Sequence, residues 1–341
     1  MKVVAAGTGP PDGLPVPGCP CRTCRRMRRD GITRAPGELW LEPENGARVV
    51  LTASRGETVY GGVLWAPDAA QLDAAALRTG SIGLALVGPG RSGDLIAVAR
   101  AVAALRSGPL TEGAECVLIG ATHNSPQPER REMLLHAWDI TEAADGQEWV
   151  LPITPRRREG LGRVLVIGGA ASGKSQLAED LLAADPSVTY LATGPVAARE
   201  QDADWAARVR RHQRRRPRHW HTVETGSPLG TLAQTREPML LDSLGSWLTG
   251  VLDRSGAWDD AAGWRTRAQD EMAGLAGAWR RLAGTAIAVT EEVGWGVVPE
   301  TAAGRLFRDL LGRLNQAIAQ ESDRVIVVVA GQLMQRRGDS P

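Results

Sequence analysis

Short aliphatic runs, each closed by glycine, proline or a carboxylate, recur along the chain, and longer segments of helical composition separate them. In the second half the alternation is regular. It predicts strands at Val164–Ile167, Val188–Ala192, Met239–Leu241, Ala286–Thr290 and Val325–Val329. Helices are predicted at Gln176–Ala184, Asp202–Arg216, Ser246–Asp253, Trp258–Leu282 and Thr301–Gln320. Strand and helix in such succession imply a mostly parallel α/β sheet wrapped by helices. Ligands bind such sheets beyond the carboxyl ends of the strands, so the residues closing each strand are the ones to inspect. The first half predicts strands at Val3–Ala6, Leu39–Leu41, Val49–Thr52, Leu84–Val87 and Cys116–Ile119, with helices at Asp68–Leu77, Asp94–Arg106 and Pro128–Ala137. It is expected to be a second α/β domain with its own core. Pro152, Pro155, Arg156–Arg158 and two glycines interrupt the pattern over Leu151–Gly162. The expected division is a domain over 1–150, a linker over 151–162 and a domain over 163–341.

Composition changes this picture little. A chain of 341 residues can bury two cores. Its net charge of +1 creates no overall field to recruit nucleic acid or an anionic membrane. No apolar run reaches the length of a bilayer-spanning helix, and Met1–Gly7 leads into glycines and prolines rather than a signal-peptide core. A cytoplasmic protein without a membrane span is expected. Cys19, Cys21, Cys24 and Cys116 fit no disulfide framework, the first three being too close together for easy mutual pairing.

The strongest chemical signal is a lysine. Lys2 and Lys174 are the lysines of the chain, against a background of arginine. Lys174 stands in Gly168-Gly169-Ala170-Ala171-Ser172-Gly173-Lys174-Ser175, directly after one apolar strand and before a helix. In a phosphate-binding loop of this pattern the backbone N–H groups face the phosphates. The slim ammonium reaches the β and γ oxygens, and the serine hydroxyl, Ser175, ligates Mg²⁺. Nucleoside triphosphate binding is therefore expected.

Other signals sit at the same edge. Ala192-Thr193-Gly194 closes the second strand, and Asp242 closes Met239–Leu241, where P-loop proteins place a carboxylate that holds Mg²⁺. Glu291 to Glu300, with two early carboxylates and two glycines, suggests a constrained loop over the crevice, or an ordinary surface turn. Arg208 to Arg218 is dense in arginine; on a helix, Arg208, His212 and Arg215 or Arg216 share a face. Such a face can be merely solvated, can contact nucleic acid, or can handle phosphates around a nucleophilic imidazole.

Taken together, these residues resemble the bifunctional adenosylcobinamide kinase / adenosylcobinamide-phosphate guanylyltransferases of cobalamin biosynthesis. The likeness is carried by the Gly168–Ser175 loop, Tyr190-Leu191-Ala192-Thr193, Ala207-Arg208-Val209 through His212 to Trp220, Glu292 to Glu300, and Phe307 to Gln316. It spans about Arg163 to Gly331. It implies a RecA-like P-loop fold, and two reactions: phosphorylation of adenosylcobinamide by ATP or GTP, and transfer of GMP from GTP onto adenosylcobinamide phosphate through a guanylylated histidine. By the same resemblance that histidine is His212. His219 and His221 lie beyond Pro217, where the helix should have ended. The nucleotide contacts implied are Gly168 to Ser175, Ala192, Thr193, Gly194, Gln213, Arg214, Arg215, Arg216, Glu224 and Asp242, with Ser175 and Asp242 toward Mg²⁺. A homo-oligomer, a trimer, is implied too, with no nucleic-acid partner. The chain departs from the family where Ala171 replaces a frequent arginine and Asp242 a frequent glutamate. A P-loop kinase without a covalent intermediate and a nucleotide-gated binding protein remain alternatives.

Gly7-Thr8-Gly9 followed by Cys19, Cys21 and Cys24 resembles the opening of metallo-β-lactamase-fold hydrolases, some of which hold a structural zinc with such cysteines and a distant histidine. The resemblance implies a Zn²⁺ on these thiolates, with His123 or His136 as fourth ligand. The His-x-His-x-Asp-His cluster that hydrolysis on this fold requires is missing from the sequence. A degenerate domain is expected.

Overall fold

The computed structural model describes residues 1–53, 56–155, 158–194, 210, 213–214 and 216–337. The chain divides into two compact units, Met1–Glu159 with Ala183–Pro186, and Gly160–Leu182 with the chain from Ser187 onward.

In the first unit, β1 (Lys2–Gly7), α1 (Arg22–Arg29), β2 (Glu38–Glu42) and β3 (Val49–Thr52) are followed by β4 (Thr58–Tyr60), β5 (Val63–Ala66), β6 (Ile82–Val87), α2 (Leu95–Arg106), β7 (Leu110–Leu118), α3 (Pro128–Trp138), β8 (Thr141–Glu142) and β9 (Glu148–Val150). One sheet has the order β3-β2-β1-β9 and is antiparallel throughout; the other is β4-β5-β6-β7-β8, parallel except at β4. Leu39 and Leu41 alternate with the less buried Glu38, Trp40 and Glu42, so β2 has one apolar face. That face meets the second sheet. Val3, Leu39, Leu41 and Leu51 share a core with Val63, Trp65, Leu84, Leu86 and Val117. α2 packs against β6 and β7, which is why β6 is apolar on both faces.

The segment Asp68–Leu77, expected to be one helix, forms two single turns of 3₁₀ helix at Ala69–Gln71 and Ala74–Ala76. Asp68 and Asp73 each accept a hydrogen bond from the N–H two residues on, at 3.1 and 3.2 Å, and these local bonds compete with helix propagation. The start of the expected linker is not free chain: Leu151 and Ile153 pack on the two-sheet core.

The second unit contains β10 (Arg163–Gly168), α4 (Lys174–Leu181), β11 (Thr189–Ala192), β12 (His221–Glu224), α5 (Leu229–Gln234), β13 (Met239–Asp242), α6 (Leu244–Ser255), α7 (Trp264–Arg281), β14 (Ala286–Glu291), α8 (Ala302–Gln320), β15 (Arg324–Val329) and β16 (Gln332–Arg337). Its sheet runs β12-β11-β13-β14-β10-β15-β16, parallel except for β16. Leu165, Leu191, Leu241 and Ala288 face Trp247, Leu248, Trp264, Leu275, Trp279, Leu311 and Leu314 of α6, α7 and α8 in one cluster. α4 packs on β10, β13 and β14 through Leu177, Ala178 and Leu181, which lie outside that cluster, so helices cover both faces. This is the mixed α/β, mostly parallel architecture expected. The helix expected from Trp258 begins only at Trp264, because Asp260 and Gly263 take left-handed backbone, at φ 49° and 74°. Arg210, Gln213 and Arg214 are helical; the rest of the expected Asp202–Arg216 helix, Arg216 aside, lies outside the described residues. No described helix is long and apolar enough to cross a membrane.

Candidate functional site

The parallel register aligns the strand ends: Ala192 pairs with Glu224 and Asp242, and Gly168 with Glu291. From Gly168 the chain enters the glycine-rich turn. A Cβ at Gly168 would collide with the Val328 carbonyl oxygen and Ser172 Oγ, so the turn closes only around glycine. Gly173, at φ 93°, turns the chain into α4, and Lys174 is its first residue. Glu292 N–H donates to Gly168 O at 3.1 Å and Gly331 N–H to Ser172 O at 2.8 Å, bracing the loop from both neighbouring strands.

Lys174 is 4% exposed. Its Nζ donates to Gly169 O at 3.3 Å and lies 3.8 Å from Glu291 Oε1. Ser172 Oγ is buried and makes no hydrogen bond among the described residues. A buried hydroxyl left over in a ring of backbone beside a buried ammonium suits a phosphate oxygen.

Across the edge, Tyr190 Oη donates to Asp242 Oδ2 at 2.5 Å, and the Arg216 guanidinium stacks 3.3 Å over the Tyr190 ring. Burial, reinforced by the Asp242 charge, pushes the Tyr190 hydroxyl well above its ordinary pKa and keeps it a donor. Thr193 Oγ1 donates to Ser243 O at 2.6 Å, and Ser243 Oγ to Glu291 Oε2 at 3.2 Å. Asn315 Nδ2 holds the Glu291 carbonyl at 3.1 Å, and Asn315 Oδ1 accepts from Thr290 at 2.6 Å. Glu291 therefore joins the cradle to the Asp242–Ser243 strand end. The apolar run ends at Thr290, which predicts Glu291 in the loop after the strand; β14 runs one residue further and carries it in. Its signal was the carboxylate directly following the apolar run.

Gly168 to Ser175, Ala192, Thr193, Gly194 and Asp242 all close or follow strands β10, β11 and β13 at this edge, and Glu224 closes β12 with an exposed side chain. Ser175 is half-buried on the first turn of α4. Its hydroxyl and the Asp242 carboxylate are hard oxygen donors of the kind Mg²⁺ takes. Gln213 and Arg214 are exposed, and Arg216 is engaged with Tyr190 rather than projecting freely. His212 and Arg215 lie outside the described residues.

A second constellation lies in the first unit. Sγ of Cys19, Cys21 and Cys24 stand 3.1, 3.6 and 3.5 Å from His123 Nδ1, and the four ligand atoms lie within 4.8 Å of one another. Bonds of about 2.3 Å to sulfur and about 2.0 Å to nitrogen at tetrahedral angles put S and N roughly 3.5 Å apart, so the donor set and spacing fit Zn²⁺. Cys21 caps α1 and Cys24 lies, buried, in its first turn. The Cys24 N–H donated to Cys21 Sγ lowers that thiol to about 6, while burial pushes Cys24 up to about 11. His123 is held after β7 by a turn in which Thr122 N–H donates to Ser125 Oγ at 3.0 Å and Asn124 N–H to Thr122 Oγ1 at 3.1 Å. His136, the alternative fourth ligand, lies on α3 and is not in the group.

Residues 164–335 match the family model described as cobinamide kinase / cobinamide phosphate guanyltransferase. The bifunctional adenosylcobalamin biosynthesis proteins CobU of Salmonella typhimurium and Escherichia coli are 38% and 37% identical over 177 residues, 49% of this chain and 96% of each of theirs. The bifunctional adenosylcobalamin biosynthesis protein CobP of Pseudomonas aeruginosa is 38% identical over 184 residues, 52% of this chain and 98% of its own. Among solved structures, a KaiC-like protein of Pyrococcus horikoshii OT3 aligns with 49% of this chain and 71% of its own at 14% identity and a TM-score of 0.27, too distant to bear on chemistry. Matched over half its length, with nearly the whole of each curated relative covered, this chain belongs to the cobinamide kinase / cobinamide phosphate guanyltransferase family.

Proposed function

We propose that the second unit phosphorylates the hydroxyl of adenosylcobinamide from a nucleoside triphosphate, ATP or GTP, and then transfers GMP from GTP to adenosylcobinamide phosphate through a guanylylated His212. The product is adenosylcobinamide-GDP. The observation that carries this reading is the buried Lys174 ammonium, set between the Gly169 carbonyl and the Glu291 carboxylate, together with the Ser172 hydroxyl that has no partner among the described residues. A triphosphate in this cradle exchanges the ammonium's weak contacts for strong charge-assisted ones, and Lys174 stabilises charge on the transferring and leaving oxygens. Mg²⁺, held between Ser175 and Asp242, would neutralise further phosphate charge.

Guanylyl transfer in two displacements lets a neutral imidazole meet the highly charged triphosphate and leaves the bulky acceptor phosphate a less charged phosphoramidate to attack. The His212 imidazole attacks the α-phosphorus and pyrophosphate leaves; the acceptor phosphate then displaces the imidazole. Arg214, Arg215 and Arg216 are the charge partners assigned to these anions, with Arg216 steadied by its stack on Tyr190. Incubation with GTP labelled at the α-phosphate tests the scheme: an acid-labile, base-stable protein adduct should form and should vanish in His212→Ala, while some phosphorylation of cobinamide survives. Phosphorylation with no adduct in the unmodified protein leaves a kinase alone.

For the first unit we infer a degenerate metallo-β-lactamase-like domain with structural Zn²⁺ on Cys19, Cys21, Cys24 and His123, a reading supported by the geometry of the four ligand atoms. A homo-oligomer, a trimer by family resemblance, acting in the cytoplasm where both triphosphates are found, completes the proposal.

A further inference from the structure

Beyond β14 the chain forms a loop, residues 292–300, that is fastened at both ends and apolar at its tip. At its start, Glu292 N–H donates to Gly168 O at 3.1 Å and Glu292 Oε1 accepts from Gly294 N–H at 2.6 Å. At its end, Arg305 donates to the carbonyls of Pro299 and Glu300 at 2.9 and 2.6 Å. Val293 packs on the core of the second unit. Between these anchors Trp295, Val297 and Val298 are 73%, 95% and 58% exposed. Three large apolar side chains within four residues, held in water by a braced backbone, give up burial that a polar tip would not need.

We propose that Trp295, Val297 and Val298 form the platform on which the acceptor's corrin macrocycle rests; this assignment rests on the transfer reactions proposed above. The loop leaves the sheet at Glu291, whose carboxylate is 3.8 Å from Lys174 Nζ, so the base of the loop adjoins the phosphate cradle. An acceptor hydroxyl must come within about 3.5 Å of the transferred phosphorus. The rest of the acceptor is far larger than the arm that bears this hydroxyl, so it must lie on ground next to the cradle. A corrin ring is studded with methyl and methylene groups, and an indole with two valines offers matching apolar surface. Covering the tip also keeps water away from the transferring phosphate.

The test is the triple variant Trp295→Ser/Val297→Ser/Val298→Ser in the full chain. These side chains are exposed, so folding should be little affected. The KM for cobinamide in the phosphorylation reaction should rise about tenfold or more, the scale that lost apolar contacts produce. The KM for ATP and the yield of guanylyl adduct from GTP alone, a reaction without acceptor, should stay as in the parent protein. An active parent whose triple variant keeps its cobinamide KM overturns the platform alone. A triple variant that loses oligomeric state in sedimentation also overturns it, by showing the tip to be a contact between copies of the chain. A parent inert toward both cobinamide and GTP overturns the reading of the reaction, and the platform with it.

Discussion

Glu291 and Glu292 are adjacent and chemically alike, yet their surroundings divide their roles. Glu291 ends β14 opposite Gly168 and faces Lys174 and Ser243, whereas Glu292 accepts a loop N–H. Glu291→Ala should lower kcat/KM for phosphorylation by about 10²-fold, within the range seen when a positioned charged group is lost from an active site. Glu292→Ala should cost less than about tenfold, since it removes one hydrogen bond of a loop braced elsewhere. Steady-state kinetics with ATP and cobinamide check both, and equal effects would mean that register is not what separates them. Lys174 itself was legible without coordinates, because its neighbours in sequence are its neighbours in the cradle. Glu291 was only half legible: the carboxylate pair was visible, and which member faces the lysine was not.

Among the elements, the central strands of the second unit were legible and its edges were not. β10, β11, β13 and β14 are buried on both faces and so show as continuous aliphatic runs, and β15 shows such a run with one face buried and the other only partly covered. β12 (His-Thr-Val-Glu) and β16 lie at the sheet margins and lack such a run, so the pattern gave no sign of them. β10 also depends on one ion pair. Asp323 accepts from the Arg163 backbone N–H at 2.7 Å and from its guanidinium at 2.9 and 3.2 Å. The Arg163 side-chain hydrogen bond, opposed by burial and aided by the backbone bond, holds the Asp323 carboxyl below its usual range. A depressed folded pKa means stability that is present above the unfolded value of about 3.9 and is lost as pH falls through the folded one. Asp323→Asn should therefore lower the melting temperature at pH 7 and matter progressively less below about pH 4. Because the Asp323 carboxylate is exposed to solvent, the effect should be about 1 kcal/mol or less. A loss of the same size at pH 7 and pH 3 would show that charge is not its source.

On the scale of the whole molecule, the family match begins at residue 164, and the first unit, which lies outside that match, has its own core and its own group of three cysteines and a histidine. The two chemistries should therefore separate. Cys19→Ser/Cys21→Ser should lose bound zinc, read by elemental analysis at about one ion per chain in the parent protein, and should lower the stability of the first unit. Guanylyl adduct formation from GTP should persist. Loss of the adduct together with the metal would tie the first unit to catalysis and remove the case for a purely structural ion.

What the sequence determined by itself is whatever a contiguous stretch encodes. The phosphate loop, the three clustered thiols and the doubly buried strands each follow from local geometry and from the period of apolar residues. The tertiary structure decided the partnerships between distant stretches. It brought His123 rather than His136 to the thiols across about 100 residues of chain, with 104 separating it from Cys19. It also turned Glu291 toward Lys174 and laid Arg216 over Tyr190. Strand register and core packing settle such pairings, and both depend on contacts that no local run of residues contains.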